Sequence, residues 1–232
     1  MIKRYSITLP KSKLSKQFEA VVPQDYKPFY NAGPGQKLPV ITSNNPHRLE
    51  YFQWGILPFS SSDTQIADKL INARAKTLFV KEPFCNLVQK KRCIIPADSF
   101  YIWQEKFNVS TPFRVTLKTE STFCFAGVWE EWKMEGDSDS MFGSFTIITR
   151  ESTEQLLPIT DRMPIILSEE ESKTWLDDRV DESFITEILN SNSRPELKYY
   201  KVTNLVNDLK NNSRRVIKEV NAPLPGDTLS LF

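Results

Sequence analysis

The sequence carries almost no net charge: 30 Lys and Arg stand against 29 Asp and Glu, a formal charge of +1 over 232 residues. A balance that even gives no global attraction for nucleic acid or an anionic membrane, so any phosphate binding has to come from a local cluster. The three cysteines, Cys85, Cys93 and Cys124, lack the close paired spacing of a zinc site or redox motif and are expected to be buried, reduced thiols. No metal or other cofactor is expected. No apolar stretch approaches membrane-spanning length, and no apolar run of the secretory kind follows Lys3 and Arg4. The expectation is a cytoplasmic protein without a membrane partner. The only histidine, His47, sits in a polar turn before a strand and reads as a surface residue. Linkers, internal repeats and low-complexity tracts are also absent, which favours a single domain over residues 1–232.

What the sequence does have is β structure. Residues 38–42, 49–54, 113–117, 123–129, 144–149 and 197–203 are rich in strand-forming residues and predict strands. Helices are expected at 12–20, with Ser12 as N-cap, at 82–90, at 168–176, where Ser168 and Glu171 form a capping box, and at 182–189. Residues 28–35 should hold little regular structure, 60–63 should be a polar loop, and 133–143 a polar hairpin tip. Many strands, few helices and no regular βαβ alternation predict an α+β fold around a curved, mostly antiparallel sheet.

Residues 92–103, RCIIPADSFYIW, combine a basic start, a buried strand, a turn and an aromatic end, and mark where a pocket is expected. Three further stretches mix an apolar frame with isolated polar groups: WGILP from Trp54, INARAK from Ile71 and TDRMP from Thr160. With MIKR at the start and AGVWE from Ala126, they resemble the SOS-response-associated peptidase family, the abasic-site processing proteins. The family signatures run MCGR, WGLIP, NARAE, RCLIPADGFYEW, AGLWE and HDRMP, and order and spacing hold here from residue 1 to about residue 167. Residues 202–207 resemble the family's closing valine and asparagine segment. The resemblance implies a compact single domain on a barrel-like β core, with peripheral helices and an active groove beside the N-terminus.

It also implies a chemistry that this chain has altered. In the family a cysteine at position 2 becomes the N-terminus, and its amine and thiol together trap the aldehyde of an abasic site in single-stranded DNA. Here that position is Ile2, the family glutamate is matched by Ile102, and the family histidine by Thr160. Neither Ile nor Thr titrates near neutral pH. Asn72 alone of the catalytic positions is retained. Arg4, Arg74 and Arg162 match family phosphate contacts, while Trp54 and Pro39 match positions that offer apolar surface to bases. Taken singly, each has a plainer reading: Arg74 and Arg162 paired with Asp98 or Asp161, Trp54 in the core, Asn72 as a cap.

The resulting expectation is a catalytically degenerate member that binds single-stranded or abasic-site DNA. One alternative is reversible Schiff-base chemistry on the amine of Met1 or Lys3. Another is a protein-interaction module that uses residues 133–143. Glu105 is a candidate replacement for the lost acid, but its odd offset from Ile102 should point it to the opposite strand face, away from the site.

Overall fold

The computed structural model describes residues 1–56, 70–133, 141–191 and 195–220. The expected loop at 60–63, the Leu57 and Pro58 end of WGILP, and most of the 133–143 tip lie outside the described residues.

The chain opens with strand β1 (Arg4–Ile7), helix α1 (Lys11–Phe18), β2 (Phe29–Ala32), β3 (Lys37–Thr42) and β4 (Asn45–Trp54). After β5 (Asn72–Arg74) and α2 (Phe84–Lys90) come β6 (Arg92–Ala97), β7 (Ser99–Lys106), β8 (Val109–Leu117), β9 (Phe123–Lys133) and β10 (Met141–Glu151). β11 (Arg162–Pro164), β12 (Ile166–Leu167), α3 (Glu169–Leu176), α4 (Glu182–Asn190) and β13 (Leu197–Lys201) follow.

Five strands, β10, β4, β3, β6 and β9, pair in a ring, and β10 closes it by bonding both β4 and β9. A second sheet, in the order β13-β8-β7-β1-β2, lies against this barrel. Closure leaves the barrel strands without free edges and gives their alternate side chains one shared interior. Phe125, Phe145, Ile95, Ile147 and Trp54 fill it and are fully buried. β1 joins the two sheets through Tyr5, whose ring meets Trp54 at 5.4 Å and Phe125 at 5.8 Å between centroids. The expected α+β architecture with a barrel-like, mostly antiparallel core is therefore observed.

The first residue of the 92–103 stretch is a clamp. Arg92 is buried and donates to the carbonyls of Val88 and Gln89 at the end of α2, and of Trp175 and Asp177 at the end of α3. Carbonyls at helix C-termini lack intrahelical partners, so one guanidinium serves two helices at once. At the other end of α3 the expected capping box forms between Ser168 and Glu171.

Three expectations need correction. Helix α1 starts after Pro10, with no side-chain cap from Ser12. Residues 28–35 contain β2, held through its pairing with β1. Gly143 lies inside β10 rather than at a tip, opposite Glu131, where an added Cβ would meet the Phe52 ring at 2.5 Å. Cys93 and Cys124 are buried as expected, while Cys85 is only half-buried on α2. Among the described residues no helix is long and apolar enough to cross a membrane, and no cluster of three or more metal-ligating side chains is found.

Candidate nucleic-acid groove beside the N-terminus

β1 pairs with β7 only from Arg4 to Ser6, so Met1, Ile2 and Lys3 run on past the sheet and leave the edge of β7 uncovered. There a cavity of about 460 Å³ opens, lined by Met1, Lys3, Arg4, Ile102, Thr160 and Glu105, with Trp103, Ser110 and Asn207 completing the wall. Sequence reading placed Ile102, Thr160 and Arg4 at one site, and the fold brings them together.

Ile2, at the family's nucleophile position, is buried as part of the main core. Its carbonyl accepts a 2.8 Å hydrogen bond from Asn72 Nδ2, so Asn72 fastens the N-terminal segment to β5. Asn72 Oδ1 is buried and has no partner among the described residues. Thr160 turns its hydroxyl to the Arg162 carbonyl at 3.0 Å, which closes the loop before β11.

β5 and β11 flank the end of β10, with Thr149 opposite Arg74 on one side and Glu151 opposite Arg162 on the other. That placement sets two guanidinium groups beside each other. Arg162 donates to Thr149 Oγ1, and Thr149 in turn donates to the Ala73 carbonyl at 3.0 Å. Burial, and then the charge of Arg74, lower the pKa of Arg162. Arg4 is half-buried and lowered by burial, with its Nε unpartnered among the described residues. Its guanidinium lies across Gly33, where a Cβ would stand 3.0 Å from Arg4 Nη1 and 2.5 Å from Leu209. Among the described residues Arg4, Arg74 and Arg162 form no ion pair. Asp98, suggested above as a partner for Arg74 or Arg162, is instead held by Arg114. The Met1 amine is lowered below the usual α-amine range, chiefly by burial; Arg162 and Lys3 lower it further, and Asp161 opposes them.

Two residues expected to offer apolar surface to bases are buried. Trp54 is fully buried, its indole N–H donating to the Ile71 carbonyl at 2.8 Å and its ring stacked on Phe145. Pro39 is buried in β3 opposite Tyr51. Both rings are buried, Trp54 inside the closing barrel and Pro39 on the other face of β3 beside Tyr51. An aromatic at a strand end reads the same in sequence whichever side of the sheet it takes.

Glu105 departs from expectation in the other direction. It does lie on the face opposite Ile102, yet it reaches the same cavity, because the uncovered edge of β7 is open to both faces. Its carboxylate accepts from Ser110 Oγ at 2.6 Å. Trp103, missed as a site residue, lines the cavity with its indole N–H on Asn207 Oδ1 at 2.8 Å. Its signal in the sequence was the aromatic end of RCIIPADSFYIW.

The family profile described as SOS response associated peptidase (SRAP) matches residues 1–209. The chain is 38% identical over 197 residues to the abasic site processing protein YoqW of Bacillus subtilis, which spans 84% of this chain and 87% of that protein. It is 36% identical to YoaM of the same organism, over 85% of this chain and 87% of the relative. Identity to YedK of Escherichia coli is 26%, over 89% and 92%. A solved structure from Bacteroides thetaiotaomicron, 23% identical, superposes with a TM-score of 0.82 over 94% of this chain and 99% of that one, and shares its fold. On the profile match and the relatives above 30% identity, the chain belongs to the SOS response associated peptidase (SRAP) family.

Proposed function

We propose that this chain, acting as one domain over residues 1–232, binds single-stranded DNA in the groove beside its N-terminus, including strands with an abasic site. In this reading the strand is held without the stable thiol crosslink attributed to the family. The observation that carries it is Arg4 in the cavity wall, with Arg162 close enough to Met1 and to Arg74 for their charges to act on one another, and with no ion pair at any of the three arginines among the described residues. Like charges held together and left unpaired are costly unless an anion arrives, and backbone phosphates are the anions a strand supplies. Ile2 supports the second half of the proposal. A buried aliphatic side chain offers no thiol, and Ile102 and Thr160 offer no titrating group.

The test uses full-length protein with an untagged N-terminus and single-stranded DNA carrying one abasic site, run on native and denaturing gels with and without borohydride. A shift on the native gel, with no band surviving denaturation in the absence of reductant, is expected. A covalent band that needs no reductant would contradict the proposal.

A second reading has an observation of its own, since Met1 lines the cavity and burial lowers the pKa of its amine. A neutral amine there can attack the aldehyde carbon of an open abasic sugar and lose water to form an imine. Glu105 is the one carboxylate lining the cavity among the described residues, and this reading gives it the proton transfer. Borohydride would reduce the imine to a secondary amine, so a band only in the reductant lane is the result this reading expects.

A further inference from the structure

The hairpin that carries the cavity wall ends in an unusual turn. β7 and β8 join through Phe107 and Asn108, with φ of +50° and +60°. A two-residue turn with both central residues at positive φ has the handedness that suits the twist of paired strands, and it is normally built from Asn, Asp and Gly. Asn108 fits. Phe107 does not: a bulky residue in the left-handed region is strained. Burial gives nothing in return, because Phe107 is 91% exposed. Val109 beside it is exposed as well, and Lys106 Nζ stands 5.8 Å from the centre of the Phe107 ring. Strain without packing points to a use outside the fold.

Position supplies that use. Phe107 lies two residues beyond Glu105, about 7 Å of strand at roughly 3.3 Å per residue. Stacked bases repeat at about 3.4 Å along a strand, so the ring stands about two base steps from the cavity. We propose that Phe107 is a stacking platform for an unpaired base of the strand held in the groove, with Lys106 beside it to meet a phosphate. Aromatic rings stack on any base, so the contact is tolerant of sequence. The base contacts that Trp54 and Pro39 cannot make from the core would then come from the hairpin. This inference rests on the DNA-binding reading above.

Phe107→Asn separates the platform from the fold, since Asn suits the turn better than Phe. The melting temperature should rise or hold, while affinity for single-stranded DNA, read by fluorescence anisotropy, falls by about 5- to 100-fold. The dependence of affinity on salt should be unchanged, because stacking releases no counterions. Phe107→Trp should restore binding. A Phe107→Asn protein that binds as tightly as wild type overturns the platform and leaves the groove reading intact. A wild-type protein that binds no single-stranded DNA overturns both. A flattened salt dependence in Phe107→Asn would also count against the platform, showing that the loss is electrostatic.

Discussion

Two polar clusters hang from the same four-residue strand, and they are built in opposite ways. On one side of β1, Asp98 accepts from Ser6 Oγ, from the Thr8 amide and from Thr8 Oγ1 at 2.6 Å, while its own amide donates to the Ser6 carbonyl at 2.8 Å. Arg114 completes the cluster, giving Nη2 to Asp98 at 3.2 Å, Nε to Ser99 at 2.8 Å and Nη1 to the Tyr200 hydroxyl at 2.6 Å. Burial works against the Arg114 charge, and Tyr200 and Asp98 outweigh it. At the start of the strand and on the neighbouring β5 and β11, Arg4, Arg74 and Arg162 have no ion pair, and Arg4 Nε and Asn72 Oδ1 have no partner, among the described residues. The closed cluster spends its polar groups on joining β1 to β7 and β8. The open one keeps them available. Tyr5 Oη on the same strand is likewise buried without a partner among the described residues, so in the proposed reading it is the missing ion pairs of the arginines, rather than an open polar atom alone, that leave room for an anionic ligand.

Substitutions should separate the two clusters. Asp98→Ala removes one partner of a buried ion pair and strands Arg114. It should cost about 3–5 kcal/mol in chemical denaturation, the largest effect expected here. Arg74→Ala combined with Arg162→Ala should change stability by no more than about 1.5 kcal/mol, since relief of like charges offsets the lost Arg162 bond to Thr149. Affinity for single-stranded DNA should fall about tenfold, and the salt dependence should flatten by about 1.4, at roughly 0.7 per phosphate contact. If Asp98→Ala proves mild while the arginine pair proves destabilising, the assignment of roles is reversed and the comparison fails. Asn72→Ala, within the open cluster, loses the bond to the Ile2 carbonyl and should cost about 1 kcal/mol in stability. The smallest effect concerns pH. Only the neutral amine attacks an aldehyde, so trapping of Met1 should rise with pH and level off above its pKa. Because burial lowers that pKa, the midpoint of the rise should fall below the usual α-amine range, and a midpoint at or above it would count against Met1.

Long strands and the motif frame were legible in the sequence because both are local. Residues 113–117, 123–129 and 144–149 advertise their state through composition, and each lies within the observed β8, β9 or β10. The strands that were missed, β1, β2, β5, β11 and β12, are two to four residues long. Such segments are strands only because a distant partner presents an edge, as β10 does for Arg74 and Arg162. The site was legible in part for the same reason. Arg4, Ile102 and Thr160 were found through their motifs, while Trp54 and Pro39 were misplaced because motif identity does not say which side of a closing sheet a ring will take. Glu105 was misjudged by strict alternation, which holds for a covered strand and loses its force where the neighbouring strand ends. Arg114 carried no local signal, since only the buried carboxylate of Asp98, fifteen or more residues away, requires it.

The central claim is that the open arginine cluster is a binding surface for a DNA strand. Its most direct test is the affinity of the full-length protein for single-stranded DNA across a salt series, measured beside the Arg74→Ala, Arg162→Ala double variant. Binding that weakens steeply with salt in the wild type, with a flatter dependence in the folded variant, is the predicted result. Wild type and variant showing the same salt dependence, or a wild type that does not bind at all, would contradict the account.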